Sequence, residues 1–207
     1  MCVHALCCIL YAVLYAVSSI LCMVRCTAMR VYLTDKLTVR ECAHVILADI
    51  LYIHVGICVY AQVHAETALH LRLLHPCYSS PLLNELRGGS FHGMQRPDIK
   101  KHHRDIYDKR QADKLNFRYP GVGGESYEDV IERARPIVIE LERQRKPVII
   151  ICHLAVMRCI YGYFTGTPME DIPYLDFERH TLYSLTPGAE GCQTAALDIS
   201  KELRGSQ

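Results

Sequence analysis

The chain has 207 residues, half of them hydrophobic, and a formal net charge of +1 at pH 7. This length suits one ordinary domain, and the near-zero charge argues against the strongly basic surface typical of nucleic-acid-binding proteins. The charge is unevenly distributed, because residues 1–80 hold nine Asp, Glu, Lys or Arg residues but eight of the eleven cysteines. We therefore treat 1–80 and 81–207 as two segments of different character.

The most apolar stretch is Ala5–Val24, which has no charged residue and is followed by Arg25 and Arg30. About 20 residues of helix span the roughly 30 Å hydrocarbon core of a bilayer, so the stretch predicts a hydrophobic helical segment that anchors the chain in a membrane. A cleaved signal peptide fits less well, because its positive charge precedes the apolar run. An equally consistent interpretation is that 1–80 is not a genuine protein segment but the translation of a misjoined or out-of-frame stretch.

Four residues in this segment are metal ligands by type: Cys22, Cys26, Cys42 and His44. Their spacing differs from that of common zinc sites, and two of them adjoin the apolar run, so we expect no metal site. The later cysteines at 152, 159 and 192 are expected to be free thiols, as in a reducing compartment.

The first clear helix signal after residue 81 lies at Ser126 and Asp129, which have the spacing of a capping box. Apolar residues then recur at three- and four-residue intervals and predict one buried helix face, formed by Val130, Ala134, Ile137, Val138 and Leu141. Charged residues, among them Arg133, occupy the other positions and are expected to face solvent. Pro136 should kink this helix unless packing compensates for the lost hydrogen bond.

Lys146 and Pro147 end the helical pattern, and the apolar run Val148–Cys152 predicts a parallel strand covered on both faces. A helix over 155–164 and two further strands over 181–186 and 194–199 follow. This alternation of helix and strand predicts an α/β fold.

His153 stands at the carboxyl end of the predicted strand, just before a helix. Ligands of open α/β sheets bind at that edge, and the helix N-terminus favours an anion such as phosphate there. Arg158 lies five residues further on, and Arg110, Lys114 and Arg118 form a basic series with four-residue spacing. Taken alone, the position of His153 slightly favours a hydrogen-bonded core histidine, and the basic series indicates a solvated helix face.

Longer blocks of sequence carry a family resemblance. They are LLNEL at 82–86, the stretch FRYPGVGGESYEDVIERARPIVIELERQRKPVIIICHLAVMRC at 117–159, IPYL at 172–175 and HTLYSLTP at 180–187. Residues 81–192 resemble the bisphosphatase domain of the bifunctional 6-phosphofructo-2-kinase/fructose-2,6-bisphosphatases, within the histidine phosphatase superfamily. The resemblance implies a phosphoglycerate-mutase-like three-layer α/β sandwich, incomplete here, with 81–207 as a partial phosphatase domain.

The resemblance also implies a chemistry, in which one histidine of an Arg-His-Gly motif attacks the 2-phosphate of fructose 2,6-bisphosphate and a second histidine stabilises the phosphoryl oxygens. Position by position, His153 resembles that second histidine, and Glu85 resembles the acid that protonates the leaving sugar oxygen. The residues that match sugar-bisphosphate-binding positions are Arg110, Lys114, Tyr127 and Arg158. Arg110 and Lys114 are expected to lie one helical turn apart and to bind the 6-phosphate together.

Several positions depart from the family pattern. The stretch MRVYLT at 29–34 resembles the first strand of the family, but it runs into Asp35-Lys36-Leu37-Thr38 instead of Arg-His-Gly, and that tripeptide occurs nowhere in the chain. Leu154 replaces a usual glutamine, and Arg96 replaces a usual tyrosine. The nucleotide-binding loop of the kinase domain is also missing, so no ATP site is expected.

From these observations we expect a fructose-2,6-bisphosphatase-like domain that lacks its nucleophile and is inactive as written. The alternative is a non-catalytic sugar-phosphate-binding or regulatory protein, tethered to a membrane through residues 5–24; a broad-specificity phosphatase or mutase fits the glycine-rich block less well. We expect no cofactor and no nucleic-acid partner. By resemblance we expect a sugar bisphosphate ligand, a homodimer and a cytoplasmic location, with a membrane location as the alternative.

Overall fold

The computed structural model describes residues 31–35, 57–61, 77–179 and 181–198. They contain one six-stranded sheet, in the order β3-β2-β4-β1-β5-β6. The strands are β1 Val31–Asp35, β2 Ile57–Ala61, β3 Cys77–Ser80, β4 Val148–Cys152, β5 Thr181–Gly188 and β6 Gly191–Asp198. Pairing is parallel from β3 to β1 and antiparallel from β1 to β6. Three strands thus precede residue 81 in the chain and lie in the same sheet as the three that follow it.

Four α-helices accompany this sheet in the described residues: α1 Arg96–His102, α2 Arg104–Ala112, α3 Tyr127–Arg143 and α4 Leu154–Thr165. Single 3-10 turns occur at Pro81–Leu83, Gly89–Phe91 and Ile172–Tyr174. The mixture of helix and strand confirms the predicted α/β class. None of the helices in these ranges has the length and apolar character needed to cross a bilayer.

Two of the sequence-based predictions concern residues that the structure does not describe. One is the hydrophobic helical segment over residues 5–24. The other is the absence of a metal site at Cys22, Cys26, Cys42 and His44. All of these residues lie outside the described ranges.

Strand β4 is the central element of the fold. It pairs in parallel with β1 on one side and β2 on the other, and each of its five residues is at most 3% exposed. Successive side chains of a strand point to opposite faces, so burial of all five means that both faces of the sheet are covered here. The prediction of a doubly covered parallel strand from the uninterrupted apolar run is therefore correct.

Helix α3 begins where the capping box predicts. The Ser126 hydroxyl accepts a hydrogen bond from the Asp129 N–H, and the Asp129 carboxylate accepts one in return from the Ser126 N–H at 2.8 Å. Its buried face carries Tyr127, Val130, Ala134, Val138 and Leu141, which pack in the core with α4 and β4. Pro136 lies inside the helix, and the helix continues past it to Arg143.

Arg133 is the exception to the predicted pattern of α3. Its side chain is only 16% exposed, although its helical position suggested a solvent-facing residue. The guanidinium pairs with Glu125, which is itself buried, at 2.9 Å and also donates hydrogen bonds to the main-chain carbonyls of Leu82, Asn84 and Glu85. Burial is tolerable because the donors of the guanidinium find acceptors inside the protein.

The prediction that Arg110 and Lys114 lie one turn apart on a helix is wrong. Helix α2 ends at Ala112, and the Asp113 carboxylate accepts hydrogen bonds from the N–H and the side-chain amide of Asn116. Such a local side-chain bond competes with continuation of the helix, and it turns the chain before Lys114.

Replacing Arg133 with alanine should destabilise the protein by about 3 kcal/mol, because it leaves Glu125 as a buried charge without its partner. Urea-induced unfolding followed by circular dichroism would measure this. Arg135→Ala is the matched control, since Arg135 lies two residues further along α3 in an ion pair with Glu132 and is 63% exposed. The control should cost less than about 1 kcal/mol; equal costs for the two variants would contradict the structural role of Arg133.

Cys159 should resist alkylation in the folded protein. Burial raises the pKa of its thiol to about 12, so almost none of the reactive thiolate exists at pH 8. Treatment with iodoacetamide at pH 8 and peptide mapping should find Cys159 unmodified in native protein and modified after unfolding in urea. Rapid modification of Cys159 in native protein would contradict the predicted packing of α4.

Candidate functional site

A cleft of about 450 Å³ lies beside the start of α4, where the central strand β4 ends. Its walls come from five parts of the chain: the segment 85–94, helices α1 and α2, Tyr119 in the loop after them, the start of α3, and the first half of α4. The side chains that carry charge into it are Glu85, Arg96, Arg110 and Arg158. The carboxyl edge of a parallel sheet is where such folds bind ligands, as the sequence predicted.

Glu85 reaches the cleft from a loop and is held against α4. One of its carboxylate oxygens accepts hydrogen bonds from the N–H of Leu86 at 2.9 Å and from the N–H of Ala155 at 3.3 Å. Ala155 lies in the first turn of α4, where N–H groups have no partner within the helix. The helix N-terminus predicted to attract a phosphate therefore already contacts a carboxylate of the protein.

The loop that carries Glu85 is fixed by the buried pair of Arg133 and Glu125. Arg133 donates hydrogen bonds to the carbonyls of Asn84 and Glu85, as described above. The second carboxylate oxygen of Glu125 accepts a hydrogen bond from the N–H of Arg87 at 3.0 Å. The main chain of Glu125 also donates to the Arg87 carbonyl at 2.9 Å. Residues 82–87 are thus bound to α3 and to the loop before it, and this positions Glu85.

Tyr127 and Arg158 meet at the floor of the cleft. The guanidinium of Arg158 donates one hydrogen bond to the Tyr127 hydroxyl at 2.8 Å and another to the Leu175 carbonyl at 2.6 Å. Burial raises the pKa of Tyr127, although the nearby charge of Arg158 opposes this. Tyr127 therefore stays protonated, and Arg158 presents a fixed charge beside it.

Arg110 and Lys114 lie near this pair, within electrostatic reach of Tyr127 and Arg158, respectively. Arg110 lines the cleft with its guanidinium 5.5 Å from the centre of the Tyr119 ring, and Lys114 holds its ammonium 4.2 Å from the centre of the Tyr174 ring. The pKa of Lys114 is lowered, first by burial and then by the charges of Arg110, Arg96 and Arg158. Lys114 therefore lies within electrostatic reach of three arginines.

His153 occupies the junction between β4 and α4. It is the N-cap residue of α4, it is half-buried, and its carbonyl accepts the Met157 N–H at 2.8 Å. Its neighbours Leu154 and Ala155 belong to the described cleft wall, whereas His153 does not. Strand β1 ends at the same edge, since Asp35 pairs with Cys152 in the sheet register.

Arg118, the third member of the basic series, does not line the described cleft wall. Its guanidinium pairs with Asp129 near the start of α3. The series predicted from four-residue spacing therefore divides into Arg110 and Lys114 at the site and Arg118 in a surface ion pair.

The glycine-rich loop packs against the 3-10 turn at Gly89–Phe91, whose Phe91 lines the cleft. The Ser90 N–H donates to the Pro120 carbonyl at 2.9 Å, so the 3-10 turn at Gly89–Phe91 packs directly on residues 120–124. A β-carbon at Gly124 would stand 1.9 Å from the Tyr119 carbonyl oxygen, and Gly121 has a φ of +97°. These positions require glycine for close approach and for backbone conformation, respectively.

Sequence reasoning did not assign Glu125 or Arg133 to the site and treated Arg96 as a departure from a pattern rather than as a site residue. Arg96 lines the cleft, together with His92 and the two tyrosines Tyr107 and Tyr119. Glu125 and Arg133 are eight residues apart, and the residues that they hold lie about 40 and 50 positions upstream. No local spacing signals such a contact.

Within residues 77–179 and 181–198, no group of three or more histidine, cysteine or acidic side chains could hold a metal ion. The described polar side chains that line the cleft are basic groups, tyrosine hydroxyls and one carboxylate. This set suits a phosphorylated ligand.

Known proteins resemble this chain in sequence and in fold. It is 45% identical to 6-phosphofructo-2-kinase 1 of Saccharomyces cerevisiae over 117 residues, and 39% identical to a 6-phosphofructo-2-kinase/fructose-2,6-bisphosphatase of Aquarana catesbeiana over 140 residues. These alignments cover 56% and 68% of this chain but only 14% and 28% of the relatives. Among solved structures, Bacillus stearothermophilus YhfR superposes with a TM-score of 0.66 at 18% identity, covering 84% of this chain and all of that one.

The two kinds of similarity agree, and they confirm both the resemblance read from the sequence and the predicted fold. The family model that matches residues 61–199 is described as the histidine phosphatase superfamily, branch 1, and it covers most of the described cleft and sheet. This chain belongs to the histidine phosphatase superfamily.

Proposed function

We propose that the cleft binds fructose 2,6-bisphosphate and that the chain hydrolyses it far more slowly than an intact phosphatase of the family. The observation that carries this proposal is the charge of the cleft, which is lined by Arg96, Arg110 and Arg158 with Glu85 as its one carboxylate among the described lining residues, and whose arginines also act on nearby Lys114. A ligand with two phosphate groups matches this balance of charge.

One phosphate is assigned to Arg110 and Lys114, with Arg158 and Tyr127 beside them. The pKa of Lys114 is lowered first by burial and then by repulsion from the like charges of Arg110, Arg96 and Arg158. A dianionic phosphate relieves that repulsion when it binds, and this relief contributes to the free energy of binding.

The second phosphate is assigned to the end of the cleft near His153 and Glu85. This assignment is supported by the hydrogen bond that the Glu85 carboxylate accepts from the N–H of Ala155, two positions after His153. In the proposed chemistry of intact relatives, the histidine stabilises negative charge on the phosphoryl oxygens and the glutamic acid gives its proton to the departing sugar oxygen.

The slow hydrolysis follows from the sequence after β1. That strand ends at the edge of the sheet where α4 begins, and the resemblance calls for Arg-His-Gly directly after it. Asp35 is the last residue of β1, and Lys36 and Leu37 follow it; none of the three replaces an imidazole nucleophile. Loss of a covalent nucleophile lowers the rate by several orders of magnitude in enzymes that depend on one, while the groups that bind the ligand are retained.

Fructose 2,6-bisphosphate labelled with ³²P at the 2-phosphate tests the catalytic part of this proposal. We expect no labelled histidine and only slow release of phosphate, because the attacking imidazole is missing. Samples would be quenched in alkali, in which both phosphohistidine and the 2-phosphate of the sugar are stable, and then examined for labelled protein and for free phosphate. A stable labelled histidine, or turnover on the order of 1–1000 s⁻¹ as in ordinary enzymes, would overturn it.

Isothermal titration calorimetry with the same bisphosphate tests the binding part. Arg110→Ala should weaken binding by about tenfold or more, because it removes a charge-assisted contact to phosphate. Arg104→Ala is the matched control on the same helix, since Arg104 pairs with Asp108 on the surface and does not line the described cleft wall. Equal affinities for the two variants and the unmodified chain would contradict the assignment of Arg110.

A further inference from the structure

Two cysteines lie opposite each other at one edge of the sheet. Cys58 in β2 and Cys77, the first residue of β3, are Cα partners in the parallel register of these strands. Cys58 is in turn the register partner of Ile149 in β4. Register partners in neighbouring parallel strands share one face of the sheet, because successive residues of each strand alternate between faces. The fold therefore brings two cysteines from separate stretches of the chain to adjacent positions on one face.

The spacing of adjacent strands suits a covalent bond between these two residues. Neighbouring strands lie about 4.8 Å apart, and disulfides join residues whose Cα atoms are roughly 4.4–6.8 Å apart. The other cysteines of the described ranges have no such partner, since Cys152 and Cys192 pair in the sheet with residues that carry no thiol and Cys159 lies in α4. Among the described residues, the register therefore singles out Cys58 and Cys77.

Strand β3 is accessible at this edge of the sheet. It is the last strand on its side of the described sheet, and its described pairing is with β2. Ser79 shares the face of Cys77 and is exposed, and Tyr78, on the opposite face, is 59% exposed. A short strand held by one neighbour opens more readily than a central strand. A small oxidant can therefore approach this edge, and a covalent bond to β2 would hold β3 in the sheet.

Strand β3 also leads directly into the segment that carries Glu85. The Ser80 hydroxyl accepts a hydrogen bond from the Leu82 N–H at 3.3 Å, where the first 3-10 turn begins. The Leu82 carbonyl then accepts a hydrogen bond from the buried guanidinium of Arg133. A bond at Cys77 would thus fix the strand from which this segment starts, whereas Arg133 fixes the segment itself.

We propose that Cys58 and Cys77 are a redox-responsive thiol pair, which closes to a disulfide between β2 and β3 under oxidising conditions and reopens on reduction. The oxidant is a small disulfide such as glutathione disulfide. One cysteine thiolate attacks a sulfur of the oxidant, which gives a mixed disulfide and releases one glutathione. The second thiolate attacks the cysteine sulfur of the mixed disulfide and releases the other glutathione. The two thiols lose two electrons and two protons, and two molecules of reduced glutathione result.

Trapping of the disulfide in the full chain tests this proposal. The protein is equilibrated in glutathione buffers of increasing oxidised fraction, quenched with acid, blocked with N-ethylmaleimide in urea and digested. Trypsin cleaves after Arg72, between the two cysteines, and chymotrypsin cleaves after Tyr52, which separates Cys58 from Cys42. Mass spectrometry should find a peptide that links Cys58 to Cys77. This peptide should accumulate with the oxidant and disappear after treatment with dithiothreitol.

Thermal unfolding measures the effect of the disulfide on the fold. The bond would close a loop of about 20 residues, so oxidation should raise the unfolding midpoint by about 5–10 °C. Cys58→Ser and Cys77→Ser should each abolish this rise. Cys192→Ser is the matched control on β6 and should retain it. Each variant is compared with its own reduced form, so that a loss of stability caused by the substitution itself does not enter the comparison.

Several outcomes would overturn the proposal. Mixed disulfides with glutathione that do not close, links from either cysteine to a third cysteine, or a link that forms only in protein unfolded by urea would each exclude the pair. A link between Cys58 and Cys77 without a rise in the unfolding midpoint would exclude its role in holding β3 to β2. The proposal is independent of the ligand of the cleft, whose binding is measured separately.

Discussion

The site depends on one buried ion pair, between Arg133 on α3 and Glu125 just before it. Around this pair, three carbonyls of residues 82–85 and the N–H of Arg87 find hydrogen-bond partners, so a loop without regular structure is fixed to the core. The carboxylate of Glu85 is then close enough to accept the Ala155 N–H. Because a buried charge that loses its partner costs several kcal/mol, the loop and the helix are expected to keep one relative arrangement.

The charged side chains of the cleft are of two kinds, one carboxylate on this loop and several cationic groups. Glu85 lies at the start of α4 and offers the one carboxylate of the described lining, while Arg96, Arg110 and Arg158 face the remainder of the cleft, with Lys114 nearby. Leu154 contributes an apolar surface where the related enzymes were expected to supply a glutamine. The free protein therefore maintains unfavourable repulsion among cations, and an anionic ligand removes it. Function and stability are in opposition at Lys114, whose pKa is lowered first by burial and then by this repulsion.

The contributions of local and distant sequence can be separated element by element. The capping box at Ser126 and the apolar spacing after it located α3, and the five apolar residues of β4 indicated a strand covered on both faces. Tyr127 and Arg158, both expected from the resemblance to bind the ligand, line the same cleft, and their side chains are hydrogen-bonded. By contrast, four-residue spacing placed Lys114 on a helix that ends at Ala112, because a side-chain bond between Asp113 and Asn116 turns the chain.

By itself, the sequence determined the α/β class, the central strand, the position of His153 at its end and the family, since all of these depend on local patterns or on long matching blocks. The tertiary structure alone decided that Arg133 is buried, that Arg96 lines the cleft and that Arg118 does not. The physical reason is the separation of the partners along the chain: Arg133 finds its acceptors about 50 residues upstream, and Arg96 finds Gln111 on a different helix. The sequence alone does not show whether a charged side chain is stabilised by a partner in the protein, by water or by a ligand. Only the tertiary structure distinguishes these cases.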